Sequence, residues 1–246
     1  MAYSCCLRGI QWDVEPKGSE TTLGGRPCYV SGGTQEKAIM IIHDLYGWSF
    51  PNIRILADHY AEEVHATVYV PDFFGGERKS VEIINTPSRW GELDLPAFLQ
   101  KNTKEIRYPE MLECAKLIRS RHSRTGCIGF CFGGWGAFRL GARDVGLFDC
   151  VATAHPTHLT EEEISSIGVP VQIMAPEHDP QFTAELKTFS LQTIPTLNVP
   201  FDYQVFPGLT HGFATRGDPE NDAERKGMER AKNAAVHWFR QWLDDL

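Results

Sequence analysis

The sequence lacks any hydrophobic run long enough to cross a membrane. A membrane helix needs roughly 18 consecutive apolar residues, and no stretch of the chain approaches that length. The first residues, MAYSCCLRGIQWD, also lack the basic flank and apolar centre of a signal peptide. We therefore expect a soluble, cytoplasmic protein with no membrane partner.

Clusters of basic residues are also missing. Lys and Arg number 24 against 32 Asp and Glu, which gives a formal net charge of -8 at pH 7. Nucleic-acid-binding surfaces depend on clustered Lys and Arg side chains that face phosphates. The charge therefore excludes a nucleic-acid partner and leaves a small-molecule substrate as the expectation, for either a monomer or a homodimer.

Cysteines at metal-ligand spacing are absent as well. The seven cysteines are scattered along 246 residues, and the adjacent pair Cys5 and Cys6 has no second pair of ligands nearby. An odd number of cysteines in a chain of this length favours reduced thiols over a disulfide framework. We expect no metal site and no cofactor.

The sequence does contain an alternation of short apolar runs with longer helix-like segments. This alternation predicts βα units around a mainly parallel sheet, and the length suits a single domain. The predicted strands are 38–43, 66–71, 126–130, 149–155, 170–176 and 201–207. The predicted helices are 52–64, 105–122, 133–143, 182–193 and 222–244. An irregular segment at about 73–102 breaks the alternation and predicts either a lid over a binding site or an insertion with a short helix.

A cysteine lies at the centre of a glycine cluster in GCIGFCFGGWG, residues 126–136. Residues 129–133 fit the pattern G-x-[SC]-x-G, the nucleophile elbow between a strand and a helix. At such a turn the central residue takes a strained backbone conformation, and glycines two positions away avoid collisions. Cys131 would then lie at a helix N-terminus, which favours a thiolate. The alternative is a buried, inert thiol.

An acid and a histidine follow two later predicted strands in the order found in α/β-hydrolases, nucleophile, acid, histidine. Asp179 follows the strand 170–176, and His211 follows the strand 201–207. Alone, Asp179 is also consistent with a turn residue before proline, and His211 with a loop histidine. Together with Cys131 they predict a catalytic triad. The backbone N–H groups of Phe132 and Leu45 are the candidates for an oxyanion hole.

Several motifs together resemble the dienelactone hydrolase family, including the carboxymethylenebutenolidase-like proteins of eukaryotes. They are HDLYGWSFPNIRILAD at 43–58, VPDFFGGE at 70–77, GFCFGG at 129–134, EHD at 177–179 and HGFATRGD at 211–218. Two further stretches, CCLRG at 5–9 and AHPTHLTEEEI at 154–164, resemble the fungal branch of that family.

The resemblance implies a single α/β-hydrolase domain over residues 1–246 and the same triad and oxyanion hole. It also implies a role for Asp44, since family members often carry a glutamate there that keeps the thiol protonated until substrate binds. Arg216 either faces a substrate carboxylate or is a surface ion-pair residue. Tyr46 and Trp90 are the other candidates for contact with substrate.

The nucleophile restricts the substrate class. A thiolate that has attacked an acyl carbon is itself a good leaving group, so the substrate must carry a better one. Enol esters, activated lactones and thioesters meet this condition, whereas amides and ordinary alkyl esters do not. We expect hydrolysis of a small lactone or enol ester through an acyl-cysteine. The alternatives are a non-hydrolytic protein that binds or isomerises a small acidic or polyketide-like metabolite, and a thiol-redox protein, for which no resolving cysteine is evident.

Overall fold

A computed structural model of the protein describes residues 9–33, 36–77, 83 and 86–244. Over these residues the chain forms an eight-stranded sheet in the order β1-β2-β4-β3-β5-β6-β7-β8. The strands are β1 Ser19–Leu23, β2 Arg26–Ser31, β3 Lys37–Ile42, β4 Thr67–Pro71, β5 Arg124–Phe130, β6 Cys150–Ala154, β7 Val171–His178 and β8 Phe201–Thr210. Strand β2 pairs antiparallel with β1 and with β4, and every pair from β4 through β3 to β8 is parallel.

Helices cover both faces of this sheet. They are α1 Pro51–Val64, α2 Leu95–Lys101, α3 Lys104–Arg119, α4 Gly133–Leu140, α5 Glu161–Ser166, α6 Ala184–Thr193, α7 Phe213–Arg216 and α8 Asp222–Leu243, with 3-10 turns at Pro87–Glu92 and Ile194–Leu197. The predicted α/β-hydrolase fold, with a mainly parallel sheet between helices, is confirmed.

The central strand β3 shows how the sequence builds two cores. Ile39 and Ile41 pack on one face with helices α1 and α8. Met40 and Ile42 pack on the other face with helices α3 and α4. Successive side chains of a strand point to opposite faces, so a strand buried on both faces needs a continuous apolar run.

The sequence predicted β3 to β8 and the five longer helices, with shifts at their ends. For example, helix α4 ends at Leu140 and not at 143. Gly141 is its C-cap, and its N–H donates to the Ala137 carbonyl while its own backbone leaves the helical conformation. The hairpin β1–β2 and the helices α5 and α7 were not predicted, whereas α2 lies in the segment 73–102, for which a short helix was one of the two predictions. Of the lid-like segment 73–102, residues 78–82, 84 and 85 lie outside the described residues, and the rest includes α2 and the turn Pro87–Glu92. Its role as a lid stays a prediction.

The part of the chain that the structure describes contains neither a membrane-spanning helix nor a metal-binding cluster. None of its helices is long and apolar enough to span a membrane, and it holds no group of three His, Cys, Asp or Glu side chains arranged for a metal ion. Its five cysteines, Cys28, Cys114, Cys127, Cys131 and Cys150, are buried free thiols.

Candidate active site

Cys131 lies on a tight turn between β5 and α4. Its φ is 50°, in the left-handed region that non-glycine residues seldom adopt. A Cβ on Gly129 would lie 2.0 Å from the carbonyl oxygen of Gly133, and a Cβ on Gly133 would lie 2.1 Å from that of Ile42. Side chains are thus excluded at both flanking positions, which is the physical reason for the glycines of the pattern.

The Cys131 sulfur faces polar groups although the residue is only 1% exposed. Its Sγ lies 3.3 Å from Oγ1 of Thr157 and also hydrogen-bonds to the ring of His211. A thiol held between a hydroxyl and an imidazole differs from an inert core thiol such as Cys127, whose pKa is raised by burial alone.

His211 links this thiol to a carboxylate. Its Nδ1 lies 2.9 Å from both Oδ1 and Oδ2 of Asp179, and neither side chain reaches solvent. Because an ionised carboxylate only accepts hydrogen bonds, Nδ1 carries a proton and Nε2 is turned towards the Cys131 turn. The N–H groups of Gln181 and Phe182 donate to Oδ1 and fix the carboxylate.

The charges around His211 favour its protonated form. Burial acts to lower the pKa of His211, but the negative charges of Cys131 and Asp179 and their hydrogen bonds outweigh burial and raise it to about 10. A negative charge on Cys131 and the Asp179 carboxylate thus both favour a protonated His211.

Two backbone donors lie at the same edge of the sheet. Ile42 of β3 pairs with Gly129 of β5, so Leu45 and Phe132 follow these paired residues by the same number of positions. Among the described residues no acceptor is found for the N–H of either Leu45 or Phe132. Two buried, unbonded N–H groups beside a nucleophile can stabilise a developing oxyanion.

A buried ion pair, Asp44 with Arg216, lies next to these donors. Nε of Arg216 is 3.0 Å from Oδ2 of Asp44, the Thr215 hydroxyl donates to the same oxygen, and the Tyr46 N–H donates to Oδ1. The Arg216 guanidinium also lies over the Tyr46 ring at 4.9 Å, and burial raises the pKa of that phenol to about 12.

This cluster corrects the expectation that Arg216 lies on the surface, and it leaves open how Asp44 acts on the thiol. Arg216 is an ion-pair residue, but at 2% exposure it is buried and not on the surface. Among the described residues, the Asp44 carboxylate accepts hydrogen bonds from Tyr46 and Thr215 and forms an ion pair with Arg216, and none of these contacts is with the Cys131 thiol. The side chain of Trp90 lies outside the part of the molecule that is described.

Sequence reasoning missed two residues of the turn after β6, Thr157 and His155. The ring of His155 packs edge-to-face against that of His211 at 5.0 Å, and both of its nitrogens are buried without a hydrogen-bond partner. Burial, and then the nearby charge of His211, lower the pKa of His155 well below its usual value. The signal available in the sequence was that HPTH follows a predicted strand at the same edge of the sheet as Asp179 and His211.

Comparisons with known proteins show the family of this chain and support its fold. The model of the dienelactone hydrolase family matches residues 27–243. "Hydrolase tropI" of Talaromyces stipitatus is 30% identical, over 99% of this chain and 98% of that protein. The human "carboxymethylenebutenolidase homolog" is 25% identical, over 98% of each. Among solved structures, a Klebsiella pneumoniae protein assigned as a dienelactone hydrolase superposes with a TM-score of 0.72 at 15% identity, over 92% of this chain and 99% of that one.

Proposed function

Since the chain belongs to the dienelactone hydrolase family and is an ester hydrolase, we propose that it cleaves a small lactone or enol ester through an acyl intermediate on Cys131. The observation that carries this proposal is the position of His211. Its Nδ1 is bonded to Asp179, and its other side faces the turn that bears Cys131.

In this mechanism the Cys131 thiolate attacks the carbonyl carbon, and the ester oxygen leaves as an alcohol or enol. The Leu45 and Phe132 N–H groups stabilise the tetrahedral oxyanion. His211 supplies a proton to the leaving group and then removes one from the water that hydrolyses the acyl-cysteine. Asp179 holds the ring in the tautomer that this requires and stabilises its cation.

The thiolate also explains the preference for activated esters. The tetrahedral intermediate expels whichever group leaves more readily, and a thiolate leaves more readily than an alkoxide. An enolate from an enol lactone or enol ester leaves more readily than an alkoxide and competes with the thiolate once His211 protonates it, so the acyl-enzyme forms with such substrates.

The Asp44–Arg216 pair supports substrate binding in this scheme. Its guanidinium lies over the Tyr46 ring, and Asp44 directly precedes the Leu45 donor in the chain. We propose that Arg216 attracts a substrate carboxylate, that Tyr46 contacts the substrate and that Asp44, through its charge, modulates the nucleophile. Trp90, carried by the turn Pro87–Glu92, is the proposed contact from the lid-like segment.

The test compares turnover of an enol lactone and of p-nitrophenyl acetate by two cysteine variants. C131A should lower kcat/KM by about 10³-fold or more, because the nucleophile is gone. The matched control is C127A, which removes a buried thiol of the preceding strand β5 and should keep wild-type kcat/KM. Full turnover by C131A would refute the proposal. Binding of the lactone without turnover by the wild type would favour the non-hydrolytic alternative.

A further inference from the structure

A short turn after β6, residues His155 to His158, packs against the turn that bears Cys131. His155 and His158 both have positive φ, at 40° and 60°. Non-glycine residues keep such conformations only where the surroundings impose them, and they concentrate at functional sites. The shape of this turn is therefore set by what it contacts.

The contacts join the two turns into one unit. The Thr157 N–H donates to the carbonyl of Cys131 at 2.8 Å, and the Cys131 N–H donates to the carbonyl of Ala154 at 3.3 Å. Pro156 fits over Gly134 so closely that a Cβ on this glycine would lie 2.4 Å from the proline Cβ. Thr157 is thus fixed relative to the nucleophile by its own backbone.

This anchoring directs the Thr157 hydroxyl at both reacting side chains. Oγ1 lies 3.3 Å from Sγ of Cys131 and 3.5 Å from Nε2 of His211. The first distance suits a hydrogen bond to the large sulfur atom, whereas the second is at the outer limit for nitrogen. Thr157 is buried, so water does not compete for this hydroxyl.

A buried thiolate needs such a donor. Removal from water disfavours the charged form of a thiol unless hydrogen bonds or opposite charges compensate. A hydroxyl carries one proton to donate and two lone pairs, so it can donate to the thiolate and still accept from a protonated imidazole. Hydrogen bonds to charged groups are the stronger ones in proteins.

We propose that Thr157 is a catalytic group of this site, whose hydroxyl donates a hydrogen bond to the Cys131 sulfur and stabilises the attacking thiolate. The inference rests on the proposed function for the role of Cys131 as nucleophile. The hydrogen bond itself is testable without any substrate. The proton stays on the Thr157 oxygen in this interaction, and no covalent bond is formed or broken.

The chain offers a matched pair of variants. T157V has nearly the same shape and keeps the backbone bond to the Cys131 carbonyl, but it lacks the hydroxyl. T157S keeps the hydroxyl and loses only a methyl group. Among the described residues, the titratable groups that interact with the charge of Cys131 are Tyr46, His155, His158 and His211, and both variants leave them in place.

The measurement is the rate at which iodoacetamide alkylates Cys131, followed by peptide mass spectrometry as a function of pH. Loss of one hydrogen bond to the thiolate should move the midpoint of the T157V profile up by about one pH unit, and alkylation at pH values below the wild-type midpoint should slow about tenfold. T157S should keep the wild-type midpoint. The kcat for ester hydrolysis should fall in T157V with little change in KM.

A T157V profile equal to that of the wild type would overturn the inference, and so would a T157S profile equal to that of T157V. The two proposals fail separately. Retained ester turnover in C131A, together with the shifted T157V profile, would refute Cys131 as the nucleophile of turnover and support the hydrogen bond from Thr157. As a control for folding, the thermal unfolding of both variants is to be measured by circular dichroism, and we expect both to unfold cooperatively.

Discussion

Buried charge dominates this molecule at the scale of single residues. Asp44 with Arg216 and Asp179 with His211 are both almost fully removed from solvent. A buried charge is tolerated only where a partner and hydrogen bonds replace its water. Each carboxylate here has both, with backbone N–H donors on one oxygen and a basic side chain beside it. Removal of one partner should therefore cost far more than removal of an exposed ion pair.

Arg216 provides the test at this scale. R216M leaves the Asp44 carboxylate buried without its counter-charge, and we expect the free energy of unfolding to fall by about 3–5 kcal/mol. The double variant D44N/R216M removes both charges and should recover part of the loss. Urea unfolding at pH 7 measures both values.

The control for this prediction is R225M, which removes an exposed ion pair with Asp222 on helix α8 and should leave the unfolding midpoint unchanged. If R216M unfolded at the same urea concentration as R225M, the buried pair would not be a structural requirement.

The sequence was informative about single residues where a motif names them. Cys131, Asp179 and His211 each follow a predicted strand, and parallel strands bring such positions to one edge of the sheet. Thr157 and His155 belong to no motif, because their positions depend on a turn whose two left-handed residues are not glycines. The partner of Asp44 was hidden for a related reason, since Arg216 comes from a helix of four residues that only the fold brings close.

At the scale of secondary-structure elements, the junction from β5 through the Cys131 turn to α4 sets the geometry of the site. The strand, the turn and the helix are in backbone contact at positions where glycine alone fits. Helix α4 runs from this turn through the core, with Trp135 and Phe138 buried. The nucleophile is thus held between a strand and a helix that are both packed into the core, which restricts its motion.

A glycine pair tests this junction. In G129A the new methyl group would collide with the backbone carbonyl of Gly133, and neither strand nor helix can move away cheaply. We expect loss of ester hydrolysis and a large drop in melting temperature, measured by activity assay and circular dichroism.

The matched substitution is G146A, where φ is 64° and a Cβ meets no atom within 4 Å. Only the left-handed conformation is penalised there, at about 1 kcal/mol, and activity should be retained. Equal behaviour of the two variants would mean that the backbone contact at Gly129 does not hold the turn.

Burial helped to make some elements predictable from sequence, although strand β8 was predicted with only two buried residues. Strand β3 is buried along nearly its whole length and reads as an apolar run. Strand β1 is exposed at four of its five residues, so SETTL gives no apolar signal, and only Gly24–Gly25 marks the hairpin. Helix α5 has only six residues and one buried side chain, although a capping box of Thr160 with Glu163 begins it.

At the scale of the whole molecule, the buried histidines link stability to pH. Burial is the main cause that lowers the pKa values of His43, His155 and His158 in the folded state. These rings are neutral in the fold and charge on unfolding below their unfolded pKa of about 6.5. Their contribution is therefore complete above that pH and is lost as pH falls towards the folded values. His211 has the opposite sign, and its contribution is lost as pH rises from about 6.5 to about 10.

We expect the free energy of unfolding to decrease as pH falls below about 6.5, with each fully buried neutral histidine adding up to about 1.4 kcal/mol per pH unit. H155F removes one such group, so its acid-side slope should be smaller by about that amount. Urea unfolding at several pH values measures the slope.

H155Q serves as the companion variant, because glutamine does not titrate and should flatten the slope equally. It should be less stable than H155F at pH 7, since its amide is buried without partners. A wild-type slope in both variants would show that His155 takes up no proton on unfolding.

The central claim is that Cys131 carries the acyl group during turnover. The most direct measurement is the intact mass of the protein, quenched with acid within the first turnovers of p-nitrophenyl acetate and followed by peptide mapping. We predict one added acetyl group, located on Cys131 in the wild type and absent from C131A. Steady turnover with no adduct on Cys131, or the same adduct in C131A, would contradict the account.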